Sequence, residues 1–189
     1  MGKLITRAEA KTYAGVTVTT YDTEVDAFIE AVTIALEKFL GRDLIGAAST
    51  IQLDGTGTRY LWLPQQYATV TAIYQDSARE FAASSLVTAA DYYHSEDTEV
   101  VDYHTKVWTS GWRNCKVVGT VGYATIPEPL KQAARVAFGD FYSRWQRAKE
   151  GRDVIGSEGL EGWTQKLIGA EDLPAAAKAL ADLYRPARL

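Results

Sequence analysis

The chain of 189 residues contains one cysteine, Cys115, so no disulfide can close within it, and a reducing compartment is the simpler setting. Histidine is nearly as scarce, with only His94 and His104. No apolar run approaches the ~20 residues of a membrane-spanning helix, and no membrane partner is expected. There is no excess of positive charge either. Twenty Lys and Arg against 24 Asp and Glu leave a formal charge of −4, which argues against a protein that grips nucleic acid through its phosphates. Disorder throughout is excluded, because 47% of the residues are hydrophobic and can offset the ordering entropy.

The charge that is present is unevenly placed. Between Asp76 and His104 there are seven acidic residues and only Arg79 to oppose them, whereas Glu128 to Arg152 holds six basic and three acidic residues. Such polarity suits a subunit that shows different faces to different neighbours.

Periodicity predicts an α+β fold. Thr6 and Glu9 have the spacing of a capping box, followed by Gly15 as a stop. From Asp22, expected as an N-cap, apolar residues recur at Val25, Phe28, Ile29, Val32, Leu36, Phe39 and Leu40 in a helical stripe that Gly41 closes. A second stripe, Leu130, Ala134, Ala137, Phe138, Phe141, Tyr142 and Trp145, follows Pro127 and Pro129, which sit where a missing N–H costs least. Between the two the period changes to two. Thr50 to Leu53 and Tyr60 to Leu63 flank a Gly-rich segment and read as a hairpin, with further strands expected at residues 69–75, 86–93, 100–103 and 116–121. The predicted organisation is a helical core at residues 1–48 and 124–150, with an inserted antiparallel β module at 49–123.

Residues 151–189 behave differently. Five glycines fall between Gly151 and Asp172, with Leu160, Trp163, Leu167 and Ile168 as scattered anchors, a composition expected of an extended arm. A short helix then carries Leu173, Ala177, Leu180 and Tyr184 on one face. A helix of roughly ten residues is marginal alone, so it must dock on something, and a partner outside the chain is the expected host.

Candidate chemistry is sparse. His94 and His104 lie beside Asp91 and Asp102 and could, with these carboxylates, serve a metal-dependent hydrolase. Trp62, Trp108 and Trp112 could form a carbohydrate- or peptide-binding face, although few basic residues interleave the aromatics. Cys115 has no histidine within ten residues and reads as a structural thiol. The segment Gly55-Thr56-Gly57 runs on into Thr58-Arg59-Tyr60 rather than a Gly-Lys-Ser/Thr helix start, so it is no phosphate cradle. Neither a catalytic constellation nor a cofactor is expected.

Three ordered stretches carry a resemblance. They are Ile5-Thr6-Arg7-Ala8-Glu9-Ala10 with Asp22 through Phe39-Leu40-Gly41-Arg42; Leu53-Asp54-Gly55, Leu61-Trp62-Leu63-Pro64, Val118-Gly119-Thr120-Val121-Gly122-Tyr123 and Ile126-Pro127 leading to Leu130 and Ala133-Ala134; and Leu173-Pro174, Ala177, Leu180, Leu183-Tyr184-Arg185. In this order and spacing the chain resembles the head–tail connector (adaptor) proteins of tailed phages. The resemblance implies a non-enzymatic virion protein of the neck, in a ring of typically twelve copies. Its implied partners are the portal protein above and a stopper or tail completion protein below, with DNA threading the lumen without specific binding. It also implies portal docking by Leu173, Ala177, Leu180, Leu183, Tyr184 and Arg185. The acidic net charge of each copy would keep DNA from adhering to the channel.

Overall fold

A computed structural model of the protein describes residues 2–96, 98–150 and 170–185. The chain divides into two compact units, one of Met1–Gly41 with Ile126–Leu189 and one of Arg42–Thr125.

The first unit is helical. Helix α1 (Arg7–Ala14) opens with the expected capping box, both Thr6–Glu9 bonds being present, and closes at Gly15 in the left-handed conformation. Helix α2 (Asp22–Leu40) starts one position earlier than a cap at Asp22 would place it: Tyr21 is the N-cap and makes no side-chain capping bond. The Asp22 carboxylate is used otherwise, accepting from Lys11 Nζ at 2.6 Å and Arg7 Nη1 at 3.2 Å, which ties α2 to α1. Helix α3 (Glu128–Lys149) begins immediately after Pro127.

The stripes meet as periodicity requires. Val25, Phe28, Ile29, Val32 and Leu36 of α2 are buried, as are Leu130, Ala134, Phe138, Phe141 and Trp145 of α3. Phe28 meets Tyr142 and Trp145 edge-on at 6.3 and 5.8 Å between centroids, and Phe138 stacks on Tyr142 at 5.5 Å. Each such aromatic pair adds about 0.5–1.5 kcal/mol beyond its area. Phe39, at the end of the α2 stripe, is only half-buried.

The C-terminal helix, α4 (Ala175–Asp182), packs against α3 and α2. This corrects the expectation that its apolar face lacks a host in the chain. Leu173, Ala177 and Ala181 are buried, and the Arg185 guanidinium lies 4.6 Å from the Phe39 ring centre. Small residues explain the fit: two alanines on the inner side, Ala177 and Ala181, let a short helix approach closely where bulkier side chains would hold it off.

The second unit contains two antiparallel sheets. In the first, the long strand β6 (Gly111–Val121) lies between β1 (Ala47–Gly55) and β3 (Tyr67–Gln75). In the second, β5 (Val100–Asp102) lies between β2 (Tyr60–Trp62) and β4 (Tyr93–His94). The hairpin expected across the Gly-rich segment does not form, because β1 and β2 belong to different sheets. Backbone donors of the segment are taken elsewhere: Gly55 N–H donates to Asn114 Oδ1 and Gly57 N–H to the Trp108 carbonyl, both at 2.8 Å. The strand expected at 86–93 is likewise replaced by 3-10 turns at Ala83–Ser85 and Ala89–Asp91, with Leu86 making a single bridge to Tyr74 and only Tyr93–His94 pairing regularly. The core of this unit gathers Tyr67, Ile73, Leu61, Val101, Trp108, Cys115, Val117 and Val121. Cys115 is fully buried, and loss of solvation pushes its thiol up to about 11.

Gly119 fixes the pairing of β6 with β3. A Cβ there would lie 2.2 Å from the Thr69 carbonyl oxygen and 2.9 Å from the Tyr67 ring. Gly119→Ala is therefore expected to cost about 1–3 kcal/mol and lower the midpoint of thermal unfolding, whereas an alanine at Gly46, with ordinary contacts, is expected to cost far less.

Capping and ion pairing give the helical unit an acid-sensitive seam. Hydrogen bonds from Thr6 and then Arg135 hold Glu9 down to about 2 from an ordinary 4.5. A depressed carboxylate stabilises the fold above its unfolded pKa and loses that contribution as pH falls, here between about 4.5 and 2. Glu9→Gln is expected to cost about 1 kcal/mol at neutral pH and to flatten the stability profile across that interval in denaturant titrations.

Candidate assembly surfaces

The residues named as candidates for chemistry do not converge. His94 bridges the two sheets of its unit: Nε2 lies 2.9 Å from the Tyr67 carbonyl oxygen and Nδ1 lies 3.3 Å from that of Val100. His104 Nε2 lies 2.9 Å from the Ala90 carbonyl oxygen, and Asp102 receives Arg59 Nε and Nη2 at 3.1 and 2.9 Å. Among the described residues no three His, Cys, Asp or Glu side chains gather as a metal site would require. The three tryptophans also separate. Trp108 is fully buried, 4.6 Å from Tyr103 between centroids, while Trp62 and Trp112 are exposed on different sheets.

The C-terminal residues divide into two groups. Leu173 and Ala177 hold α4 to its own unit, and Leu180 and Tyr184 are half-buried. Leu183 and Arg185 are exposed, Leu183 to 76%. Leu160, Trp163, Leu167 and Ile168, named as arm anchors, lie outside the described residues.

Exposed aromatic surface concentrates on the β unit. Tyr60 and Trp62 on β2 and Tyr93 on β4 are 48%, 52% and 65% exposed. Register places Tyr60 and Tyr93 on either side of Asp102, so the three share the outer face of the second sheet, while Leu61 and Val101 fill the inner one.

A second cluster sits where β3 ends and β6 begins. Trp112, 65% exposed, has the Arg79 guanidinium 5.2 Å and the Arg113 guanidinium 5.7 Å from its ring centre. Lys116 Nζ lies 4.1 Å from the Tyr74 ring centre and 4.9 Å from that of Phe81. The backbone here is unusual: Arg79, Phe81 and Arg113 have φ of 63°, 53° and 48°. Asp76 sustains the turn, its carboxylate accepting from Phe81, Ala78 and Glu80 N–H groups at 2.8, 2.8 and 3.0 Å, and these bonds hold its pKa below the usual range. The cluster is hidden in the sequence, because Arg79 lies 33 positions from Trp112 along the chain. Only the adjacency of Trp112 and Arg113 signalled the cluster.

The family profile described as "head completion protein" matches residues 3–187. No curated protein matches. Among solved structures, a chain in the neck of an empty gene transfer agent particle, computed with C6 symmetry, superposes with a TM-score of 0.58 at 18% identity, covering 98% of this chain and 91% of that one. A chain of the native gene transfer agent virion gives 0.60 at 17% identity over 98% and 91% of the two chains. One from the native neck, computed with C12 symmetry, gives 0.54 at 15% over 100% and 96%. These likenesses concern the fold, and the sequence match over almost the full length settles the membership: the chain belongs to the head completion protein family.

Proposed function

We propose that this chain is a structural component of a virion neck, an adaptor whose copies form a ring between the portal above and a stopper or tail completion protein below. The observation that carries the reading is family membership across residues 3–187. It is supported by a fold like those of chains in gene transfer agent necks computed with C6 and C12 symmetry. Twelve copies per ring is the stoichiometry we favour, with DNA passing through the lumen unbound. The formal charge of −4 per copy, repeated around a ring, would repel a phosphate backbone that touched the wall.

The reading is non-catalytic. Both histidines spend ring nitrogens on backbone carbonyls, and the one thiol is buried with its pKa raised. Among the described residues these groups serve packing rather than acting as a poised nucleophile or base.

Within this role the C-terminal segment is proposed to meet the portal. Because Leu173 and Ala177 are consumed in holding α4 to its own unit, the contact falls to Leu183 and Arg185 at the exposed end, joined by Tyr184 and Leu180 at the margin. Each contact is small, but a ring makes every contact after the first effectively intramolecular.

Leu183→Lys is expected to leave the unfolding midpoint unchanged and to weaken capture by the portal protein at least tenfold in a co-sedimentation assay. Leu173→Lys should instead unfold the terminal helix, since it places a charge in a buried position. Full portal capture by a folded Leu183→Lys chain would move the contact elsewhere. Failure of the wild-type chain to assemble on its portal would overturn the adaptor reading.

A further inference from the structure

Two exposed surfaces of the β unit are complementary. On the outer face of the second sheet stand Tyr60, Trp62 and Tyr93, with Asp102 between the tyrosines. Aromatic exposure of this size on one sheet face is unusual for surface that meets only water. The chain around β4 is acidic, with five carboxylates and no lysine or arginine from Asp91 to His104, of which Asp102 pairs with Arg59 and Glu99 with Arg42. Asp91 and Glu96, which flank β4, have no cation partner among the described residues.

At the other surface, Arg79, Arg113 and Lys116 surround Trp112 and the Tyr74–Phe81 pair. Among the described residues none of these cations has a carboxylate partner, although the unit carries more acid than base. Their charge is held on aromatic faces instead. That arrangement leaves the exposed guanidinium groups of Arg79 and Arg113 available to a carboxylate arriving from outside. Three non-glycine residues in the left-handed region hold this end in place, a conformation that persists only where the surroundings enforce it.

We propose that these surfaces meet between copies, the Trp112 cluster of one chain seating on the Tyr60–Tyr93 face of the next. The occupant of each surface is thus a second copy of this chain, argued from charge: unneutralised cations on one surface face unneutralised carboxylates on the other, with rings on both sides to stack. Because the two surfaces differ, the contact is head-to-tail, and such a contact either closes into a ring or runs on as a filament. The inference rests on the ring reading above and adds to it the surfaces that join neighbours.

Thiol cross-linking tests it. Thr98, beside β5, and Ser110, two positions before Trp112, are exposed, so Thr98→Cys and Ser110→Cys are expected to fold and to keep the aromatic contacts, and the native Cys115 is buried and stays silent. The full-length double variant, assembled with its portal and treated with a short bis-maleimide, is expected to give a ladder of covalent multimers on a denaturing gel. A mixture of the two single variants should stop at dimers, and each single variant alone should remain monomeric. Arg79→Glu with Arg113→Glu should reduce assembly at least tenfold, and adding Asp91→Lys with Glu96→Lys should restore it.

Dimers from either single variant alone would mean a symmetric contact and overturn the proposal. So would cross-links to the portal or to another neck protein in place of a second copy. Assembly seen by mass photometry without a ladder would overturn it too, leaving the ring reading intact. No assembly of the wild-type chain under any of these conditions would remove the ring reading, and this inference with it.

Discussion

Strand β6 is the constraint on which the second unit depends. It is paired along both edges, with β1 through Val121 to Gly111 and with β3 through Val121 to Cys115. Side chains alternate across a strand, so Cys115, Val117 and Val121 point into the core only in this register, and a slip of one residue would exchange the faces. Gly119 secures it, since any side chain there would strike the Thr69 carbonyl. At its beginning the same strand extends beyond the end of β3, and Trp112 and Arg113 project there. Core packing at one end of β6 thereby positions the cation–aromatic cluster at the other.

The helical unit solves a different problem. Its aromatic seam between α2 and α3 is strong enough to host a further, very short helix, and α4 lies on it through Leu173, Ala177 and Ala181. A helix of eight residues has little stability of its own, so packing supplies nearly all of it. Docking at home presents the chain end, with Leu183 and Arg185, from a fixed base rather than a free tether. In an assembly this lowers the entropy lost when each copy binds a partner.

The histidines show how scarce polar residues can serve structure. His94 stands with its two ring nitrogens against carbonyls from different sheets, Tyr67 of β3 and Val100 of β5. Asp102 is clamped by both arms of Arg59, and His104 closes on Ala90. Groups that suggested a metal site in the sequence are distributed among separate contacts that fasten the β unit. The difference is one of distance in space, which neighbouring positions such as Asp91 and His94 do not reveal.

Much of the fold was legible from local rules. The Thr6–Glu9 cap, the Gly15 and Gly41 stops, the two apolar stripes and the Pro127 helix start depend on residues within a few positions of each other, so neighbouring residues suffice to encode them. The order of motifs along the chain likewise carried the family resemblance. Strand pairing was not legible, because Gly55 and Gly57 find their partners at Asn114 and Trp108, more than fifty positions away. Tertiary structure alone decided three matters: that β1 and β2 belong to separate sheets, that the terminal helix is hosted by its own chain, and that Arg79 meets Trp112. Each is a long-range contact whose free energy comes from burial or charge across the fold, and no local pattern encodes it.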